Sequence, residues 1–98
     1  MIHSFAGVGT EDLFNGKDSK AARRACPTTL HRIAQRKLDL LNSVSRLEDL
    51  QFPPGNRLER LRGDRAGEHS IRINQQYRIC FRWEDDGAAD VDVNKHYE

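Results

Sequence analysis

Residues 53–83 read PPGNRLERLRGDRAGEHSIRINQQYRICFRW, and the spacing of apolar residues within them decides the fold. Leu58 and Leu61 flank Glu59-Arg60 in a short strand. Gly63-Asp64-Arg65-Ala66-Gly67 supplies the turn, because glycine takes positive backbone φ without a steric penalty. Ile71 and Ile73 share one face of the next strand, with Ser70 and Arg72 on the other. After Asn74-Gln75-Gln76 turns the chain, Tyr77, Ile79, Phe81 and Trp83 point inward while Arg78, Cys80 and Arg82 point outward. The stretch therefore predicts a sheet with an apolar face and a cationic face.

The pattern continues on both sides. Asp85-Asp86-Gly87 forms a further hairpin turn, and Ala89, Val91 and Val93 extend the apolar face opposite Asp90, Asp92 and Asn94. Upstream, Phe52-Pro53-Pro54-Gly55-Asn56 breaks regular structure. Before it lies a helix that follows Pro27, with Thr28 or Thr29 as its cap. Leu30, Ile33, Ala34, Leu38, Leu41 and Val44 form its buried stripe, with Arg32, Gln35, Arg36 and Asp39 opposite. Leu47 and Leu50 suggest one more short turn. Ile2, Ser4 and Ala6 alternate with His3 and Phe5 in a short first strand that ends at Gly7 and Gly9. Thr10-Glu11-Asp12 opens a helical turn with Thr10 as N-cap, and Asn15-Gly16 stops it. Lys17 to Arg24 reads as a loop or an irregular helical turn. Helices first, then an antiparallel meander packed on them, is an α+β arrangement.

Ninety-eight residues suit one domain, expected to span residues 1–98. A chain this short buries one modest core, so an active site is expected as a surface groove suited to a macromolecule. The net charge of +1 conceals a strong local field. Between Arg57 and Arg82 seven arginines face three acids, net +4, whereas Glu84 to Glu98 carries six acids and one lysine, net −5. A basic sheet face suits a polyanion such as RNA, because arginine's planar fork grips phosphate at two points. Cys26 and Cys80 have neither metal spacing nor a disulfide framework, and buried inert thiols are expected. The opening MIHSFAGVGTEDLF has no basic region followed by an apolar stretch. With no run approaching a membrane span, no membrane association and a cytoplasmic location are expected.

Two groups of residues can carry chemistry. The arginines either form a solvated face, with Arg72, Arg78 and Arg82 pairing across strands to Asp90 and Asp92, or bind a ligand together with Arg57, Arg60, Arg62 and Arg65. The closing triplet His96-Tyr97-Glu98 brings imidazole, phenol and carboxylate together just past the last strand, where they are either frayed or an acid–base set. His69 reads as structural. His3 and His31 have no convergent partners, so no metal and no cofactor are expected. Nucleotide-loop, nucleophile-elbow and zinc-protease motifs are absent from the sequence.

The block GDRAGEHSIRIN followed by YRICFRW, with the opening IHSF and the helix HRIAQRKLDLLNSV, resembles the HigB toxins of the RelE/ParE superfamily over essentially the whole chain. The resemblance implies a RelE-like microbial ribonuclease fold and an endoribonuclease that cuts messenger RNA in the ribosomal A site without metal. It also implies inhibition by a HigA-type helix-turn-helix antitoxin, with DNA contacted only indirectly through that complex. Arg62 in LRGDR and Arg78 in YRICF match family positions that hold the RNA backbone, and Arg65, Arg72 and Arg82 are their neighbours on the same face. Family members commonly end in acid–Tyr–His at the cleavage site. Here Tyr97 matches, while the acid and histidine are exchanged as His96 and Glu98. Some members place a histidine where this chain has Glu59. The implied catalytic set is thus Glu59, Arg78, His96, Tyr97 and Glu98, with the base and the acid left open among Glu59, His96 and Glu98.

Two other functions stay compatible with the residues. One is a ParE-like toxin that binds gyrase and needs no terminal triplet. The other is an RNA- or ribosome-binding module that cuts nothing.

Overall fold

A computed structural model describes residues 1–95, and the triplet His96-Tyr97-Glu98 lies outside the described residues. Three helices, α1 (Val8–Phe14), α2 (Lys20–Ala25) and α3 (His31–Ser43), precede four strands, β1 (Glu59–Arg60), β2 (His69–Arg72), β3 (Tyr77–Glu84) and β4 (Gly87–Lys95). The strands form an antiparallel meander in the order β1-β2-β3-β4. The α+β arrangement and the three hairpins are those the apolar spacing predicts.

The core lies between α3 and one face of the sheet. Ala34, Leu38 and Leu41 of α3 are buried with Ile71, Ile79, Phe81, Val91 and Val93. Full burial of a leucine or phenylalanine contributes about 1.5–3 kcal/mol, so this cluster carries most of the favourable free energy. Loops are anchored by buried polar groups. Asn56, fully buried, donates from Nδ2 to the carbonyls of Leu50 and Phe52 at 3.3 and 3.0 Å and accepts from Lys37 Nζ. Those bonds fix the segment that delivers the chain to β1.

Several local expectations are corrected, each by a tertiary contact. Thr10 does not cap α1. Gly7 is the N-cap, and Thr10 is buried inside the helix with its hydroxyl accepting from the Val93 amide at 3.0 Å. Residues 2–6 are not a full strand, and they meet β4 through isolated parallel bridges at Ile2–Ala88 and Phe5–Val91. Lys17 to Arg24 is neither loop nor irregular turn over its second half, which forms α2. Ser19 Oγ caps that helix, accepting from the Ala22 amide at 3.0 Å and donating to Asp12 at 2.6 Å. Helix α1 packs so close to α2 that a Cβ on Gly9 would stand 2.5 Å from the Ala21 carbonyl oxygen. Thr28 and Thr29 belong to a 3₁₀ turn ahead of α3 and give it no side-chain cap.

A bulge changes the register of β4. Cys80 faces Asp92 while Arg82 faces Ala89, so two steps of β3 match three of β4, and Asp90 takes φ 52°. Ala89 is thereby moved off the core face to sit opposite Arg82, and Ala88 takes its place in the core. Cys80 does lie on the outer face, yet it is fully buried there under neighbouring side chains.

Candidate nucleic-acid interface

The outer face of the sheet is built in transverse rows. One row runs Glu59, Ser70, Cys80, Asp92, and the next runs Arg72, Arg78, Asn94. Arg72 and Arg78 are thus direct cross-strand neighbours of like charge, an arrangement that destabilises a sheet. Neither makes an ion pair among the described residues. The Asn94 side chain holds Arg78 in place by accepting from its Nε at 3.2 Å. The two terminal nitrogens of Arg78 make no hydrogen bond among the described residues.

Two concavities meet at this row. A shallow cleft is lined by Arg57, Glu59, Ser70, Arg72, Asn74, Tyr77 and Arg78. A larger groove of about 490 Å³ wraps the end of β3 and β4 and is lined by Arg24, Arg65, Arg78, Asn94, Tyr77 and Lys95, among others. Helix α2 therefore brings Arg24 to the sheet, which is why the Ser19 cap matters to the site. Two further features give this surface its sign. Arg57 sits at φ 46° at the end of a short 3₁₀ turn and leads into β1, and the Gly63 and Gly67 turn (φ 65° and 95°) folds Arg65 back over the sheet.

The expected site residues divide into three groups. Glu59, Arg72 and Arg78 share the cleft, and Arg65 meets Arg78 in the larger groove. Arg65 is partly engaged, with Glu68 at 3.0 Å and Asp92 at 3.9 Å. Arg82 is held by Asp90 and Glu84, both at 2.8 Å, away from either concavity. Cross-strand pairing with Asp90 thus describes Arg82 but not Arg72 or Arg78. Arg62 is exposed, unpaired among the described residues, and lines neither concavity. Tyr97, His96 and Glu98 lie outside the described residues, which end at Lys95 on the wall of the larger groove.

Arg24 and Tyr77 were not legible as site residues. Arg24 lies far from the arginine-rich stretch in sequence, and strand alternation assigns Tyr77 to the core. Its strand-end position leaves it half-buried, lining both concavities.

The other ionisable groups have ordinary structural roles. His69 lies toward the core with its ring 6.0 Å from Phe81, and burial followed by the nearby Arg60 lowers its pKa. Burial pushes the Cys26 thiol up to about 11 and raises Cys80 as well, so both are inert. His31 contacts the Cys26 carbonyl at 2.9 Å. No group of three His, Cys, Asp or Glu among the described residues is arranged to hold a metal ion. No helix among them is long and apolar enough to cross a membrane. Among the described residues, the cleft offers arginines with free donors for an oxyanion and one carboxylate that can accept a proton.

Comparison with known proteins gives this geometry a context. A family model described as the RelE-like toxin of the type II toxin–antitoxin system HigB matches residues 3–96. Toxin HigB-1 of Vibrio cholerae serotype O1 is 40% identical over 73 residues, covering 74% of this chain and 77% of that protein. An uncharacterised protein of Haemophilus influenzae is 33% identical over 70 residues, 71% of this chain and 69% of its own length. Among solved structures, the YoeB-YefM complex from Staphylococcus aureus superposes with TM-score 0.60 at 16% identity, over 99% of both chains. The YoeB/ParE toxin from Agrobacterium tumefaciens gives 0.54 at 18% identity, over 98% of both. At these identities the two structures speak for the fold alone.

Proposed function

The chain belongs to the HigB-like family, the RelE-like toxins of type II toxin–antitoxin systems, and from that premise we propose that it is a single-domain endoribonuclease that cuts messenger RNA on the ribosome. The observation that carries this reading is the Arg72–Arg78 row. Two directly opposed arginines with no carboxylate partner among the described residues weaken the sheet, and a phosphate bound between them would relieve the repulsion.

In this reading the RNA 2′-hydroxyl loses its proton to a base and attacks the adjacent phosphorus. The bond to the 5′-oxygen breaks, and that oxygen takes a proton from an acid, leaving a 2′,3′-cyclic phosphate and a 5′-hydroxyl. Arg78, steadied by Asn94, and Arg72 stabilise the charge that develops on the phosphoryl oxygens. Glu59 lines the same cleft and is the base candidate among the described residues, while His96 or Glu98 supplies the acid and Tyr97 orients the target base. Arg65 and Arg62 hold flanking phosphates. Arg82, engaged by two carboxylates, contributes least.

A toxin of this family is expected to be held inactive by an antitoxin protein, and the S. aureus YoeB-YefM neighbour is itself a complex. The partner expected here is a HigA-type helix-turn-helix protein, through which alone the toxin would approach DNA. Replacing Arg78 by alanine should relieve growth arrest when the chain is expressed without a partner, and Arg82→Ala should not. Full toxicity of Arg78→Ala would refute the assignment. A ParE-like toxin acting on gyrase would instead raise a DNA-damage response with messages left intact.

A further inference from the structure

We propose that Tyr77 is a stacking platform for one nucleobase of the bound RNA, joining the two concavities into one track; the inference rests on the RNA reading above. Tyr77 and Arg78 are the two residues that line both concavities. The cleft also holds Arg57 and Arg72, and the larger groove also holds Arg24, Arg65 and Lys95.

Grooves of cations account for gripping a backbone, and a base needs something more. Single-stranded RNA is held where basic grooves follow the backbone and an aromatic ring between them takes a base. Tyr77 is half-buried, with its inner part against the core cluster and the rest in the grooves. Its ring has no aromatic neighbour among the described residues, and its hydroxyl makes no hydrogen bond there. A tyrosine that serves packing alone usually satisfies its hydroxyl where buried, and its ring can pair with another aromatic. Among the described residues neither use is made. Asn74, which also lines the cleft, accepts from the Tyr77 and Gln76 amides at 2.7 and 2.8 Å and so sets the turn that presents the ring. Arg24 then becomes a phosphate contact on the far side of the stacked base, delivered by α2.

The test uses a short dye-labelled single-stranded 2′-O-methyl RNA, which cannot be cut, and a series in which one nucleotide at a time is abasic. Binding of the full chain is followed by fluorescence anisotropy. For the unaltered protein, abasic substitution at one position should weaken binding about tenfold or more. In Tyr77→Leu that loss should vanish while salt-dependent binding through the arginines persists, and Tyr77→Phe should restore it. A structural role alone would lower the melting temperature of Tyr77→Leu and leave the abasic loss in place, which overturns the proposal. Binding by the unaltered protein with no abasic loss at any position also overturns it and leaves the RNA reading standing. Absence of RNA binding altogether overturns the proposal, while the nuclease reading is decided separately by whether new transcript ends appear when the chain is induced.

Discussion

Replacing Arg72 by glutamate should make the protein more stable and less toxic at once. Arg72 stands directly opposite Arg78, and neither has an ion-pair partner among the described residues. Like charges at directly opposed positions are destabilising, and opposite charges there stabilise by about 0.2–1 kcal/mol. The substitution changes one into the other, a swing of about 0.4–2 kcal/mol. Glu59 lines the same cleft and repels the new carboxylate, which holds the net gain to the lower half, about 1 kcal/mol. In a protein of this size that raises the melting temperature by about 4–8 °C. The gain should shrink as salt is added, because screening acts over about 8 Å at physiological ionic strength. Calorimetry at low and moderate salt measures the stability, and growth after induction measures the toxicity. A melting temperature unchanged or lowered at low salt would show that the Arg72–Arg78 row holds no unrelieved repulsion, and the principal argument for an anion between them would fail.

Two further substitutions probe the scaffold. Gly9→Ala improves helix propensity by about 1 kcal/mol, yet the added methyl runs into the backbone at Ala21, and overpacking of this sort costs about 1–3 kcal/mol. A net loss in urea denaturation is expected, and a gain would mean that α1 and α2 separate freely. His69 gives a pH signature. Burial and then Arg60 lower its folded pKa below the unfolded value of about 6.5, so the unfolded state binds the proton more readily. Stability should therefore be intact above about pH 6.5 and fall as pH drops below it. His69→Gln should flatten that part of the profile, and an unchanged slope would assign the acid sensitivity elsewhere.

Much of the scaffold can be read from residue spacing. Period-two apolar residues from Ile71 to Trp83 mark the central strands, and the stripe through Ala34, Leu38 and Leu41 marks α3. What escapes that reading depends on partners distant in sequence. Thr10 has the residue type of a cap, but its hydroxyl is taken by an amide at Val93. The sequence around α2, Lys-Ala-Ala-Arg-Arg-Ala, has no apolar periodicity, so only its Ser19 cap and its packing on α1 reveal it. Ala89, Asp90 and Val91 alternate as a regular strand would, and the bulge at Asp90 shows only once β3 supplies the register.

The candidate site is legible in part for the same reason. Arginine density locates the basic face, but residue counting cannot separate Arg82, neutralised by Asp90 and Glu84, from Arg72 and Arg78, which have no such partner among the described residues. Nor can it place Arg24 or Tyr77, which reach the site through α2 packing and a strand end. Arg72 and Arg78 are directly opposed and have no ion pair among the described residues, and that row is where RNA is proposed to bind.

The proposed nuclease activity is tested most directly by mapping the 5′ ends of cellular transcripts shortly after the chain is induced without a partner. New ends within translated messages, in register with the reading frame and lost in Arg78→Ala, are the expected result. Growth arrest with no new ends would contradict it.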